Sequence, residues 1–153
     1  IFDMVNENTP PSYAGQIAAG ATTLTEAWDT NPHSSQNHLM LGHIEEWFYA
    51  GLAGIRPDDM SVGLHHIFIE PQVVGDVNWV KANWDTPRGP VKVDWKRDSG
   101  ALTLNVDLPP GMTATVKLPG QTAREIASGH TELTPGTAAP APAVRKTRAR
   151  RRK

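Results

Sequence analysis

Among its 153 residues the chain has no cysteine. That excludes disulfides, thiolate-held zinc and a cysteine nucleophile. No apolar run approaches the roughly 20 residues that span a bilayer, so no membrane partner is expected. There is no HExxH, no acidic cluster at ligand spacing, no phosphate-cradling glycine loop and no nucleophile elbow. The histidines do not repair this. His33, His38 and His43 are five apart and rotate away from one another on a helix, while His65 and His66 point to opposite sides of a strand. No metal or other cofactor is therefore expected. A secretory signal is missing too, but the chain opens IFDMVNENTPPSY, without Met, and reads as the middle of something longer.

Charge of one sign is scarce in a telling place. Residues 145–153 (RKTRARRRK) hold 7 of the 15 basic residues and no acidic one. The rest of the chain keeps 8 basic against 16 acidic residues, a net of −8. An acidic body argues against a specific nucleic-acid partner, and the basic run reads as a solvated terminus. From Pro135 the composition is Thr/Ala/Pro and then Arg/Lys, without hydrophobic periodicity. Disorder is expected there.

What the chain does have is one dense stretch, GATTLTEAWDTNPHSSQNHLMLGHIEEWFYAGLAGI, from Gly20 to Ile55. Ser12 is placed to cap a short helix that Gly20 ends. Thr22, Thr23 and Thr25 are β-branched and stiff, and predict an extended segment or tight corner leading into Glu26. Asn31-Pro32 marks a turn. Ser34 or Ser35 then caps a helix predicted from Gln36 to about Ala53. Met40, Ile44, Trp47, Phe48, Leu52 and Ile55 recur on it at helical spacing. So broad an apolar stripe predicts packing against helices outside this chain.

From about Met60 the period becomes two. Strands are predicted at 65–70, 77–84, 91–96, 101–108 and 112–118, with a weaker one near 124–127. Val91, Val93 and Trp95 share a face, as do Leu102, Leu104 and Val106, and Met112, Ala114, Val116 and Leu118. Pro87-Arg88-Gly89-Pro90, Asp98-Ser99-Gly100 and Pro109-Pro110-Gly111 supply the turns. Short strands at this spacing predict an antiparallel β-sandwich.

Three residues carry chemistry. Glu26 stands among Thr, Ala and Trp, surroundings that tune a general acid or base; the plain alternative is a carboxylate paired with a distant Arg or capping a backbone. His38, in the first turn of the predicted helix, either contacts sugar hydroxyls as a neutral imidazole or simply closes that helix. Trp28 is a stacking platform for a sugar ring or plain core.

The runs PSYAGQIAAGATTLTEAWD, NHLMLGHIEEWFYAGLAGI, GLHHIFIEPQ and NWVKANWDTPRGPVKVDWKRDSGALTLNVDLPPGMTATVKLPG resemble, in order and at compatible spacing, the C-terminal part of bacterial α-L-rhamnosidases of glycoside hydrolase family 78. The resemblance runs from about Pro11 to about Ser128. It implies a mixed fold, with the last helices of an (α/α)6 barrel at 1–59, a β-sandwich at 60–136 and a basic tail at 137–153. It also implies an inverting glycosidase acting on a rhamnose-containing glycoside. The family's GATTxWExWD motif places the general base on Glu26 and its second Trp on Trp28, and the later NH motif places a rhamnose-contacting histidine on His38. Two departures stand out: Thr25 replaces the first Trp, and the loop between Glu26 and His38 is short. The general acid and most sugar contacts are expected in the N-terminal part of the barrel, the missing partner of this piece. An inverting site needs a second carboxylate about 6.5 to 9.5 Å from the first. Asp29, Glu45 and Glu46 are not placed to be it. The rival expectation is a non-catalytic β-sandwich, a carbohydrate-binding or structural module.

Overall fold

The structure, a computed structural model, describes residues 1–134. The expected tail 137–153 and the last two residues of the expected sandwich segment lie outside the described residues. Helices α1 (Phe2–Val5) and α2 (Tyr13–Ala18) come first. Ser12 caps α2 as expected, its side chain accepting the Gly15 N–H at 2.9 Å, and Gly20 at φ 86° turns the chain out of it. A 3-10 turn (Leu39–His43), α3 (Ile44–Trp47) and a π-helical turn (Phe48–Ala53) follow as one helical run. The predicted regular helix from Gln36 is thus shorter and changes pitch twice. Neither Ser34 nor Ser35 caps it, because the run begins only at Leu39 with His38 at the N-cap, and Ser35 Oγ accepts the Asn37 N–H at 3.3 Å instead. Gly51 sits beneath Trp47, where an added Cβ would lie 2.6 Å from the indole.

Six strands follow: β1 (Ile55–Pro57), β2 (His66–Ile69), β3 (Trp79–Thr86), β4 (Gly89–Asp98), β5 (Ala101–Val116) and β6 (Arg124–Leu133). They form two layers that share one long ribbon. Along its first half β5 pairs β4, and β4 pairs β3. Along its second half it pairs β2, and β2 pairs β1. Strand β6 runs down the other edge of both halves, with a register shift between Leu108 and Thr113. Pro109-Pro110-Gly111 is therefore a bend within β5, not the hairpin turn expected between two strands. Prolines have no N–H to give the ladder, so pairing lapses there and the strand bends without reversing. The sandwich also departs from the all-antiparallel expectation in one ladder, since β2 and β5 are parallel.

The alternating patterns become one core. Val91, Val93, Trp95, Leu104, Val106, Met112, Ala114 and Val116 are at most 2% exposed. Ala53 and Ile55 belong to the same cluster, so the end of the helical run is built into the sandwich. Backbone bonds tie this junction, with Glu70 N–H donating to Gly54 O and Gln72 N–H to Gly51 O, both at 2.9 Å. Trp95 Nε1 donates to Leu52 O at 2.7 Å. The helical stripe is consequently divided. Its C-terminal end is buried, while Leu39, Met40 and Phe48 remain exposed.

Gly54 is the hinge of this junction. Its φ is +78°, and an added Cβ would stand 2.3 Å from the Glu70 carbonyl carbon and the Pro71 nitrogen. Both are backbone atoms that cannot swing aside. Gly54→Ala is expected to cost at least about 2 kcal/mol, combining left-handed strain with the clash. Urea unfolding checks this, and an unchanged midpoint would contradict it.

A second set of contacts binds the loop after β1 to the sheet. His66 Nδ1 donates to Asp58 Oδ2 at 2.8 Å, and His66 Nε2 lies 2.9 Å from Thr115 Oγ1. His65 turns the other way, toward Gly111 O. Two histidines adjacent in sequence thus reach β5 at different points, Gly111 and Thr115, and His66 also holds the loop after β1. Nearby, Lys117 donates to Glu70 and Arg56 pairs with it. The Lys117 hydrogen bond, followed by the two positive charges, holds the Glu70 carboxyl below its ordinary range.

Candidate active site

The site is a loop closed on itself. Leu24 O accepts the His38 N–H at 2.8 Å, and Ser35 O accepts the Glu26 N–H at 2.9 Å. Thr23 Oγ1 also donates to Gln36 O across the same gap. These bonds lay residues 23–26 beside 35–38, so Glu26 and His38 stand on the two stems of one loop. Twelve residues apart in sequence, they are brought onto facing stems by these hydrogen bonds.

Glu26 is exposed, yet its carboxylate is anchored: Oε2 accepts the Ser35 N–H at 3.0 Å. The other oxygen, Oε1, has no protein partner among the described residues. A carboxylate with one oxygen held and one open is a carboxylate with a direction. Thr25, where the resemblance expects an indole, is 1% exposed and gives its hydroxyl to Ala27 O at 2.7 Å. It braces the turn beside Glu26 and offers no surface to a ligand.

Trp28 is half-buried, with its ring edge-on to Tyr13 at 5.0 Å and 80°. Tyr13 in turn donates its hydroxyl to Leu41 O at 2.8 Å, and burial pushes the Tyr13 phenol up, which keeps it a donor. One tyrosine thereby ties α2, the loop and the 3-10 turn together. Its role, like that of the Ser35 N–H, was missed in the sequence. A Tyr directly after an N-cap serine is the only local sign of it, and that sign is common.

His38 is half-buried and extended (φ −113°, ψ 108°), just before the 3-10 turn rather than in the first turn of an α-helix. A helix dipole at His38 requires an α-helical first turn there, whereas His38 stands at the N-cap of the 3-10 turn that opens the helical run. Among the described residues no group of three or more His, Cys, Asp or Glu side chains is placed to hold a metal ion. No helix among them is long and apolar enough to cross a membrane.

Comparison with known proteins is consistent along the whole described chain. Residues 54–132 match the family model of the bacterial α-L-rhamnosidase C-terminal domain, and residues 1–52 match that of the bacterial α-L-rhamnosidase 6 hairpin glycosidase domain. An α-L-rhamnosidase of Streptomyces avermitilis is 33% identical over 127 residues, covering 77% of this chain and 12% of that protein. One from Formosa agariphila is 30% identical over 145 residues, covering 89% of this chain and 15% of its own length. The chain thus spans less than a sixth of these curated relatives. Among solved structures, the α-L-rhamnosidase from Dictyoglumus thermophilum superposes with a TM-score of 0.78 at 26% identity, covering 87% of this chain and 18% of that one. The Streptomyces avermitilis enzyme complexed with L-rhamnose gives 0.77 at 28% identity, covering 87% and 16%. The helices before the sandwich are therefore a piece of a 6 hairpin glycosidase domain, and the chain belongs to the bacterial α-L-rhamnosidase family, as a C-terminal part of it.

Proposed function

We propose that this chain supplies the general-base wall of an inverting α-L-rhamnosidase. Residues 1–52 contribute to the barrel, 54–134 form the sandwich that braces it, and the substrate is a glycoside ending in α-L-rhamnose. Glu26 takes a proton from water. The water oxygen bonds to the anomeric carbon as the glycosidic C–O bond breaks, and the leaving oxygen takes a proton from an acid elsewhere in the barrel. His38 and Trp28 hold the sugar, the imidazole toward its hydroxyls and the indole along its ring.

The observation that supports this most is the orientation of Glu26. A general base must hold a lone pair toward its water, and the Ser35 N–H fixes one carboxylate oxygen while Oε1 stays open. The exposed Leu39, Met40 and Phe48 form the face that meets the rest of the barrel.

By itself, the 153-residue chain is expected to release nothing from an aryl α-L-rhamnoside, because it holds one of the two carboxylates. Glu26-dependent turnover by the purified chain would refute the division of labour. The direct test is a chimera in which this sequence replaces the matching segment of the Streptomyces avermitilis enzyme. Proton NMR should show the β-anomer of rhamnose first, before mutarotation. First appearance of the α-anomer would remove Glu26 from its role.

A further inference from the structure

We propose that the outer face of the β3–β4–β5–β6 layer is a second glycan-binding surface, centred on Trp79, for a neutral rhamnose-bearing polysaccharide. The choice of ligand rests on the function proposed above; the surface itself rests on the register.

Side chains on β3 alternate. Val80, Ala82 and Trp84 pack on the core, which turns Trp79, Lys81 and Asn83 outward. Trp79 is 65% exposed, whereas Trp95, one strand away, is 2% exposed. An indole costs more than most side chains to leave in water, and among the described residues Trp79 enters none of the ring–ring or cation–ring contacts. The register then arranges a polar sheet around it. Trp79 stands opposite Lys96, Lys81 opposite Asp94, and Asn83 opposite Lys92. Beyond them Asp94 faces Asn105 and Lys92 faces Asp107, which also accepts from His130 Nδ1 at 2.8 Å.

Two features of this face select a class of ligand. Opposite charges sit directly across from one another, as in Lys81 with Asp94 and Lys92 with Asp107. Apart from Lys96, which faces Trp79 on one side and Thr103 on the other, the lysines of this face are compensated across the strands, with no basic stripe for a polyanion. The surface also combines one broad aromatic plane with amide, carboxylate and ammonium groups on one sheet face. Sugar rings ask for this combination, an apolar face to stack and a rim of hydroxyls that donate and accept. Such a surface lies on the sandwich, apart from the Glu26 loop, and would keep a polysaccharide at the enzyme between cleavages.

The test is native affinity electrophoresis of the 153-residue chain in gels containing a soluble neutral rhamnan, with dextran gels as control. Rhamnan should retard the chain and dextran should not. Trp79→Ala should weaken the interaction about tenfold or more, with melting unchanged because the side chain is outside the core. Asn83→Ala should weaken it less. An unretarded wild type, or Trp79→Ala retarded as strongly as wild type, would overturn the proposal. So would a fall in melting temperature of several degrees in Trp79→Ala, which would show that another role holds the indole. Should Trp79→Ala fail to fold, the indole N–H resonance of Trp79 in the wild type decides: it must shift on titration with rhamnan oligosaccharides, and a stationary resonance would refute the site. Failure of the rhamnosidase reading would show in the hydrolysis assay, and failure of this surface in the gel.

Discussion

Glu26→Gln in a completed rhamnosidase is expected to lower kcat by about 10² to 10⁴ while KM moves little, the usual loss when a general base is removed. Gln keeps the shape of Glu, and its side-chain oxygen still accepts the Ser35 N–H that anchors the carboxylate at 3.0 Å. The attacking water can still be bound and oriented, but its proton has nowhere to go as the C–O bond forms. The loss is confined to the transition state, so kcat and kcat/KM fall together. His38→Ala sets the contrast. A hydroxyl contact made before and during reaction contributes to both states, and its removal should appear mainly in KM. Steady-state kinetics on an aryl α-L-rhamnoside separates the two. If Glu26→Gln raised KM and spared kcat, Glu26 would be a binding residue and the proposed chemistry would be wrong.

Trp95→Ala should be the most damaging change in the sandwich. The ring is 2% exposed in the centre of the core, and truncating a buried aromatic typically costs about 3 to 5 kcal/mol. The indole N–H also donates to Leu52 O at 2.7 Å, so the substitution leaves a carbonyl of the helical run without its partner. A fall in melting temperature on the order of 10 °C or more follows for a domain of this size. Trp95→Phe isolates the hydrogen bond: most of the volume stays, and only the tie to Leu52 goes. Calorimetry of the three proteins gives both contributions. A melting temperature for Trp95→Ala within a few degrees of wild type would mean that the core does not depend on this ring. Near-equality of Trp95→Phe and Trp95→Ala would place the loss in the hydrogen bond rather than the packing.

Much of the sandwich was legible from spacing. A β-strand shows alternate residues to opposite faces, so Val91, Val93 and Trp95, or Leu102, Leu104 and Val106, announce a buried side before any partner is known. The Ser12 cap and Gly20 stop were legible for a similar reason, because the groups they satisfy lie within the same turn. The motif residues around Glu26 were legible as a resemblance, and the match of residues 1–52 and 54–132 to the two rhamnosidase domains agrees with it.

Tertiary structure alone decided the rest. Strand β1 has three residues and no period of its own; it is a strand because Ile55 finds Ile69. Pro109-Pro110-Gly111 has the composition of a reversal, yet the chain runs on, since β2 and β6 take up the second half of β5. The helical run changes pitch at Ile44 and again at Phe48, and its end is tied to the core where Trp95 takes Leu52 O. The stems of the Glu26 loop are laid together by Leu24 with His38 and by Glu26 with Ser35, bonds made by backbone atoms that every residue carries. Side-chain periodicity reports which face is buried, because hydrophobic burial acts on the residue itself. Backbone hydrogen bonds between distant segments leave no such mark, and they bring Ser35 to Glu26 and so set its direction.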